Sequence, residues 1–312
     1  MTGGAGFIGA GLVERLLAEG EEVDVIDDLS TGSLANLGPA RAVAGGQLKF
    51  HRLDIRHPGL AELVASRRPE MIFHLAAQAD VRVSVENPAL DADINILGSL
   101  HLCQAAVAAG TTKIVFAGSG GTLYGLPEAL PVAETHSRHP VSPYGVAKKA
   151  VGDYLHYYKE IHGLDSTILA LANVYGPRQD PHGEAGVVAI FAGKLLAGET
   201  PTVFGDGNQT RDFVFVDDVV DAFARARTGG SGLLANVGTG TETTVNELFA
   251  TMARLTGFTE PAVYAPARPG ELARSALDPT LVGQELGWKP LHTLEDGLDR
   301  TLSWFREREA NS

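Results

Sequence analysis

The stretch that most limits how this chain can fold is its first nine residues. Gly4-Ala5-Gly6-Phe7-Ile8-Gly9 spaces its glycines as G-x-G-x-x-G, and Gly3, Gly6 and Gly9 also fit G-x-x-G-x-x-G. A helical run from Ala10 to Glu19 follows. Glycines let a backbone turn come up against a pyrophosphate, whose charge is then held at the helix N-terminus. A lone match also describes a glycine-rich tail, so context decides. Val23-Asp24-Val25-Ile26 reads as a strand and ends in Asp27-Asp28. This is about 20 residues past the glycines, where an acid binds the adenosine ribose hydroxyls of a dinucleotide. An acid there repels a 2′-phosphate, which favours NAD over NADP. By the same rule a buried strand should precede the glycines, yet only Met1 precedes Thr2. In a doubly wound sheet that first strand is central. Losing about five core residues, at ~1.5–3 kcal/mol each, would rival a domain's whole stability of ~5–15 kcal/mol. The expectation is therefore a short apolar strand encoded just upstream, and, failing that, low stability and weak cofactor retention.

Strand and helix alternate through the first half. Leu48–Leu53 reads as a strand ending at Asp54-Ile55, and a helix Leu60–Ser66 leads to the strand Met71–Leu75 and the small pair Ala76-Ala77. His74 reads as a packed core histidine. A helix Ala89–Ala109 carrying Asn95, a strand Lys113–Ala117 and a strand Thr167–Leu171 continue the pattern. Such alternation implies a parallel sheet with right-handed crossovers, whose ligands bind outside the carboxyl ends of the strands. The glycines, Asp27, Asp54, Ala76, Ser119 and Asn173 all fall at those ends. Beyond Asn173 the texture changes to short strands and Pro/Gly-rich loops. The expected fold is α/β: a doubly wound, Rossmann-type parallel sheet with a smaller C-terminal α/β domain. Residues 1–172 form the NAD-binding domain and 173–312 the substrate domain, with about 212–240 returning to the main sheet.

Composition narrows the partners. A net charge of −13 over 312 residues argues against a nucleic-acid surface or an anionic membrane. The single Cys103 cannot pair within the chain and suits the reducing cytoplasm. No apolar run is long enough to span a bilayer. The reading is a cytoplasmic protein without a metal site.

Ser142-Pro143-Tyr144-Gly145-Val146-Ala147-Lys148 reads as a helix start, with Ser142 as the cap and Pro143 in the first turn. Residues four apart share a helix face, so Tyr144 and Lys148 are neighbours. A free tyrosine titrates near ~10, and a cation within a few Å favours its ionised form by roughly 1–3 units. That makes a phenol a usable base near neutral pH. On its own, Y-x-x-x-K also describes an ordinary tyrosine and a solvated lysine.

Taken together these motifs resemble the extended short-chain dehydrogenase/reductase family, and within it the bacterial UDP-glucose 4-epimerases. The resemblance covers essentially the whole chain except the first strand. Its markers are Thr2–Gly9, Asp27-Asp28-Leu29-Ser30-Thr31-Gly32, His74-Leu75-Ala76-Ala77-Gln78, Ser142–Lys148, Asn173-Val174-Tyr175-Gly176-Pro177-Arg178, Arg211–Asp218 and Arg268-Pro269-Gly270-Glu271. It implies that Gly3, Gly6, Phe7, Ile8, Gly9, Asp27, Asp28, Ser30, Thr31, Gly32, Asp54, Ile55, Leu75, Ala76, Ala77 and Asn95 hold NAD, together with Tyr144 and Lys148. It implies that Asn173, Arg211 and Arg268 hold the diphosphate of a nucleotide sugar, that Thr202 and Phe204 flank the uracil, and that Val187 and Val188 offer backbone groups. Glu271 and Ser275 complete that substrate set.

The implied chemistry is 4-epimerisation through a transient 4-keto sugar. Tyr144 as phenolate takes the proton of the sugar 4-hydroxyl as hydride leaves C4 for the nicotinamide, and Lys148 holds the nicotinamide ribose. The family usually places a catalytic Ser or Thr where this chain has Gly120. Thr122, or failing that Ser119, is expected to supply the hydroxyl. The Asp-Glu pair that 4,6-dehydratases need is replaced by Gly121-Thr122, which argues against dehydration. UDP-glucuronate epimerisation or decarboxylation stays open, as does a catalytically silent NAD-binding protein. The small Ser275 implies room for an N-acetyl group. The likeness also implies a homodimer through the helices at Ala89–Ala109 and Tyr144–His162.

Overall fold

The computed structural model describes residues 1–181, 186–267 and 272–310. The first half contributes strands β1 (Val23–Asp27), β2 (Leu48–Arg52), β3 (Met71–His74), β4 (Lys113–Ser119) and β5 (Asp165–Leu171). The second contributes β6 (Asn173–Tyr175), β7 (Thr202–Phe204), β8 (Thr210–Arg211), β9 (Phe213–Phe215), β10 (Leu233–Val237), β11 (Thr243–Thr244) and β12 (Val263–Ala265). β1 pairs in parallel with β2, and β3, β4, β5 and β10 follow one another in parallel register. Ile114, Val115 and Phe116 of β4, and Leu169 and Ala170 of β5, are buried. Strands covered by helices on both faces require this.

The two parts of the sheet are joined by Met1–Gly3. Thr2 bridges in parallel to both Ile26 and His74. Ile26 N–H donates to the Met1 carbonyl at 2.8 Å, Gly3 N–H to that of Ile26 at 2.9 Å, Thr2 N–H to that of Phe73 at 2.9 Å, and Leu75 N–H to that of Thr2 at 3.1 Å. Between β1 and β3 the described residues form no full strand, only these bridges at the carboxyl ends of the two strands.

Helices cover both faces, making the doubly wound α/β sheet that the alternation implied. Leu60, Val64, Leu102, Ala106, Val151 and Leu155 pack one face, and Leu12, Leu16, Val219, Phe223 and Val282 the other. The helix expected over Ala89–Ala109 is bent from an α-turn Pro88–Ala92 through a π-helical turn Asp93–Leu97 into Gly98–Ala109, placing Asn95 inside the π-turn. The second half packs β6 on β9, β7 on β12 and β8 on β11 around Tyr175, Phe191, Phe213, Phe215, Leu248 and Leu302. Its strand β10 runs beside β5, with Leu233 opposite Thr167 and Val237 opposite Leu171. No helix among the described residues is long and apolar enough to cross a membrane.

Asp212, between β8 and β9, ties this second half together. It is 1% exposed. Its carboxylate accepts from Thr239 N and Oγ1 at 2.8 and 2.6 Å, and from the backbone of Gly240 and Leu277 at 3.1 Å each. Burial raises its pKa, and those donors oppose the rise. Removing the carboxylate strands several buried donors at once, each worth about 1–3 kcal/mol. Asp212→Ala is therefore expected to destabilise the protein by about 3 kcal/mol or more, read as a lowered midpoint in urea denaturation.

Candidate active site

The glycine loop is held by close approach. Gly3 has φ +71°, and a Cβ on it would sit 2.6 Å from Ala76 N, so the loop lies directly on the end of β3. A Cβ on Gly9 would overlap the Gly3 carbonyl. The helix Phe7–Ala18 opens at Gly6, with no side-chain cap and no acid in its first turn. Its first amides are therefore open to an anion such as a pyrophosphate. Phe7 and Ile8 are half-buried and pack onto the second half of the chain.

Asp27, at the end of β1, grips this loop. Its Oδ2 accepts from Ala5 N–H and its Oδ1 from Leu29 N–H, both at 2.9 Å. Burial pushes its pKa up while these bonds pull it down. The Ala5 carbonyl accepts from Ser33 N–H and Asn36 Nδ2. Asp28 closes a turn by accepting from Ser30 N–H and Oγ, and Ser30 and Thr31 are exposed. Gly32 lies so close that a Cβ would come 2.8 Å from Asp27 Oδ1.

The side chains of two residues expected to hold cofactor, Asp54 and Asn95, make hydrogen bonds within the chain. The Asp54 carboxylate takes Arg56 in a two-pronged pair, closest approach 2.6 Å, which holds its pKa low. Arg56 also reaches Asp93 at 2.8 Å. Asn95 donates through Nδ2 to the Gln78 carbonyl and to Asp91 Oδ1, and accepts from Gln78 N–H through Oδ1. Ile55 is buried against Gly98. Leu75, Ala76 and Ala77 are half-buried at the end of β3.

The helix Pro143–His162 starts as its sequence requires, with Ser142 Oγ accepting from Gly145 N–H at 3.1 Å and Pro143 in the first turn. Tyr144 N–H donates to the buried Ser84 Oγ at 3.3 Å. Lys148, 5% exposed, donates to the Ala117 carbonyl at 2.9 Å. Its Nζ lies 4.6 Å from the Phe116 ring centroid and 5.6 Å from that of Tyr144. The helical spacing thus becomes real proximity. Burial lowers the Lys148 pKa to about 8, with Asp91 opposing the fall.

The short helix Gly120–Leu123 faces this pair. A Cβ on Gly145 would come 2.7 Å from the Thr122 carbonyl, so the two helix starts are pressed together. Thr122 Oγ1 is buried and has no hydrogen-bond partner. Ser119 is half-exposed and lines a small cleft with Lys148, Lys149 and Arg138. Gly120 is bare for a physical reason, since a Cβ there would overlap a methyl of the buried Leu277, whose N–H is held by Asp212.

The substrate-side residues lie in the second half. Asn173 is exposed at the start of β6, and its N–H donates to the Asp212 carbonyl. Val187 and the buried Val188 open the helix Val187–Leu196. Thr202 and Phe204 are half-buried on β7. Arg211 donates to the carbonyls of Thr210 at 2.7 Å and Leu272 at 2.9 Å. Ser275 is 9% exposed. Arg268 and Glu271 lie outside the described residues.

Sequence reading missed Asp91, Gln78, Ser84, Asp212 and Leu277. Only Asp91 carried a local signal, standing four residues before Asn95 on one helical face.

The model of the NAD dependent epimerase/dehydratase family matches residues 1–238. The chain belongs to this family. A UDP-glucose 4-epimerase from Mycolicibacterium smegmatis is 48% identical over 309 residues, covering 99% of this chain and 98% of that relative. A crystal structure of a UDP-glucose 4-epimerase with UDP-glucose from Thermotoga maritima superposes with a TM-score of 0.95 at 44% identity, covering 99% of this chain and 98% of that one. A UDP-N-acetylglucosamine 4-epimerase from Methanobrevibacter ruminantium, in complex with UDP-N-acetylmuramic acid, gives 0.92 at 32%, covering 98% and 97%. Within this epimerase/dehydratase fold, Gly120 and Leu277 form one interlocked contact. Gly120→Ser is expected to cost about 1–3 kcal/mol through overpacking, measured as a fall in the denaturation midpoint.

Proposed function

We propose that the chain is an NAD-dependent 4-epimerase of nucleotide-diphosphate hexoses, interconverting UDP-glucose and UDP-galactose. The observation that carries this reading is Tyr144 lying over the buried Lys148 at the carboxyl end of the sheet, in a chain similar over its whole length to 4-epimerases. The loop Gly3–Gly9, with uncapped amides at Gly6 and Asp27 beside it, has the shape and charge pattern that fit a dinucleotide. Bound NAD supplies a reversible hydride acceptor for the sugar C4.

Tyr144 takes the proton of the 4-hydroxyl and returns it after the keto sugar has presented its other face. Lys148 keeps its ammonium under the Tyr144 ring and favours the phenolate. Thr122, whose buried hydroxyl is without a partner, hydrogen-bonds the same sugar oxygen, with Ser119 as second choice. Asn173 and Arg211, together with Arg268, hold the diphosphate, Arg by its forked donors. Thr202, Phe204, Val187 and Val188 hold the base, and Glu271 and Ser275 complete the substrate side. Residues 1–172 serve as the cofactor domain and 173–312 as the nucleotide-sugar domain.

Ser275 leaves space beside the sugar, so we extend the substrate range to N-acetyl hexoses. Val146, Tyr154, Tyr157 and Ile161 form an exposed apolar stripe along the helix Pro143–His162. It suits a second copy of the chain, and the reading is a cytoplasmic homodimer.

In a coupled assay converting UDP-galactose to UDP-glucose, Tyr144→Phe is expected to lose activity by at least about 10²-fold. Equal activity in the two proteins would overturn the role given to Tyr144, and cofactor binding without turnover by the wild type would favour the alternative of a silent NAD-binding protein. Ser275→Tyr is expected to lower turnover of UDP-GlcNAc by at least about tenfold while sparing UDP-glucose; equal effects on both substrates would remove the specificity role.

A further inference from the structure

Asp91 is 1% exposed. Its Oδ1 accepts from Asn95 Nδ2 at 2.9 Å and from Gln78 Nε2 at 3.1 Å, while its buried Oδ2 has no hydrogen-bond partner. Two neutral amides on one oxygen do not offset the enclosure of a whole negative charge, which needs a counter-charge nearby. Its helix Pro88–Ala92 packs against the helix that carries Lys148. The two groups act on each other through space, each favouring the charged form of the other, while the ammonium itself donates to Ala117.

Among the described residues, Lys148 is influenced through space by Asp91 from Pro88–Ala92 and influences His74 of β3, and it lies near the Phe116 ring of β4 and the Tyr144 ring of its own helix, with Lys149 and Arg138 lining the adjoining cleft. Asp91 is the one carboxylate among these groups. His74 is pushed down to about 3 by burial and then by Lys148, so it brings no charge. It instead joins a buried chain of hydrogen bonds: His74 to Thr2 Oγ1 at 2.7 Å and to Ser99 Oγ at 2.8 Å, and Ser99 Oγ to the Asn95 carbonyl at 2.6 Å. That chain fixes the backbone of Asn95, and the Asn95 side chain in turn fixes Asp91.

We propose that Asp91 is a positioning residue of this site, the buried counter-ion that keeps the Lys148 ammonium charged beneath Tyr144, with Asn95 and Gln78 holding it in place. The proposal rests on the roles given to Tyr144 and Lys148 above.

Asp91→Asn keeps an oxygen for Asn95 and Gln78 and removes only the charge. Lys148 then loses its proton at lower pH. The alkaline limb of the kcat/KM profile for UDP-galactose is expected to move down by about one unit or more, with KM little changed. A uniform loss of activity with the limb unmoved would overturn the proposal, since that is what a packing role predicts. A second measurement needs no turnover. Asp91→Asn should lower the melting temperature of the wild type but raise that of Lys148→Met, where the carboxylate has lost its partner. A change of the same sign in both backgrounds would also overturn it. Wild-type protein without epimerase activity would refute the proposed function and still leave this cycle to judge the pair.

Discussion

Lys148 is shut between the helix Pro143–His162 and β4, and an ammonium enclosed there is costly unless its surroundings compensate. The Ala117 carbonyl accepts a hydrogen bond from it, the Phe116 ring offers its negative face, and Asp91 supplies opposite charge from a third element. Burial brings its pKa only to about 8, so the ammonium keeps its proton at neutral pH. These compensating groups come from β4 and from the segment around Asp91, so the helix, β4 and that segment have to sit in one arrangement. Tyr144 is placed by that same arrangement. Its backbone is tied to Ser84, and its helix start presses on Thr122.

The glycine loop is a constraint of the same kind, made of close approach rather than charge. Gly3 lies on Ala76 and Gly9 on the Gly3 carbonyl, with no room for a methyl group at either contact. Asp27 then fixes the loop from the end of β1, accepting from the Ala5 and Leu29 amides. The second half is anchored through Asp212, which holds Leu277 beneath Gly120 and the Thr239-Gly240 turn beside β10. The space beside Gly120 is therefore filled by an apolar side chain, and a buried hydroxyl without a partner stands two residues on, at Thr122.

Much of this was legible in residue order. The alternation of strands and helices, the glycine spacing and the acid after β1 are local patterns, and local patterns set local geometry. The cap at Ser142 and the one-face placement of Tyr144 and Lys148 were readable for the same reason. Residue order did not show which groups Asp54 and Asn95 would meet: the carboxylate pairs with Arg56, and the amide, inside its helix, bonds Gln78 and Asp91.

The chain's order of residues by itself determined the α/β class, the dinucleotide-type loop and the tyrosine–lysine pair, because each depends on spacings within one turn or one crossover. Only the tertiary structure decided that Lys148 is enclosed, that the helix carrying Asp91 packs against its own and that Leu277 takes the space beside Gly120. Those outcomes depend on which groups meet across tens or hundreds of residues, where desolvation and steric exclusion act on neighbours that no spacing rule identifies.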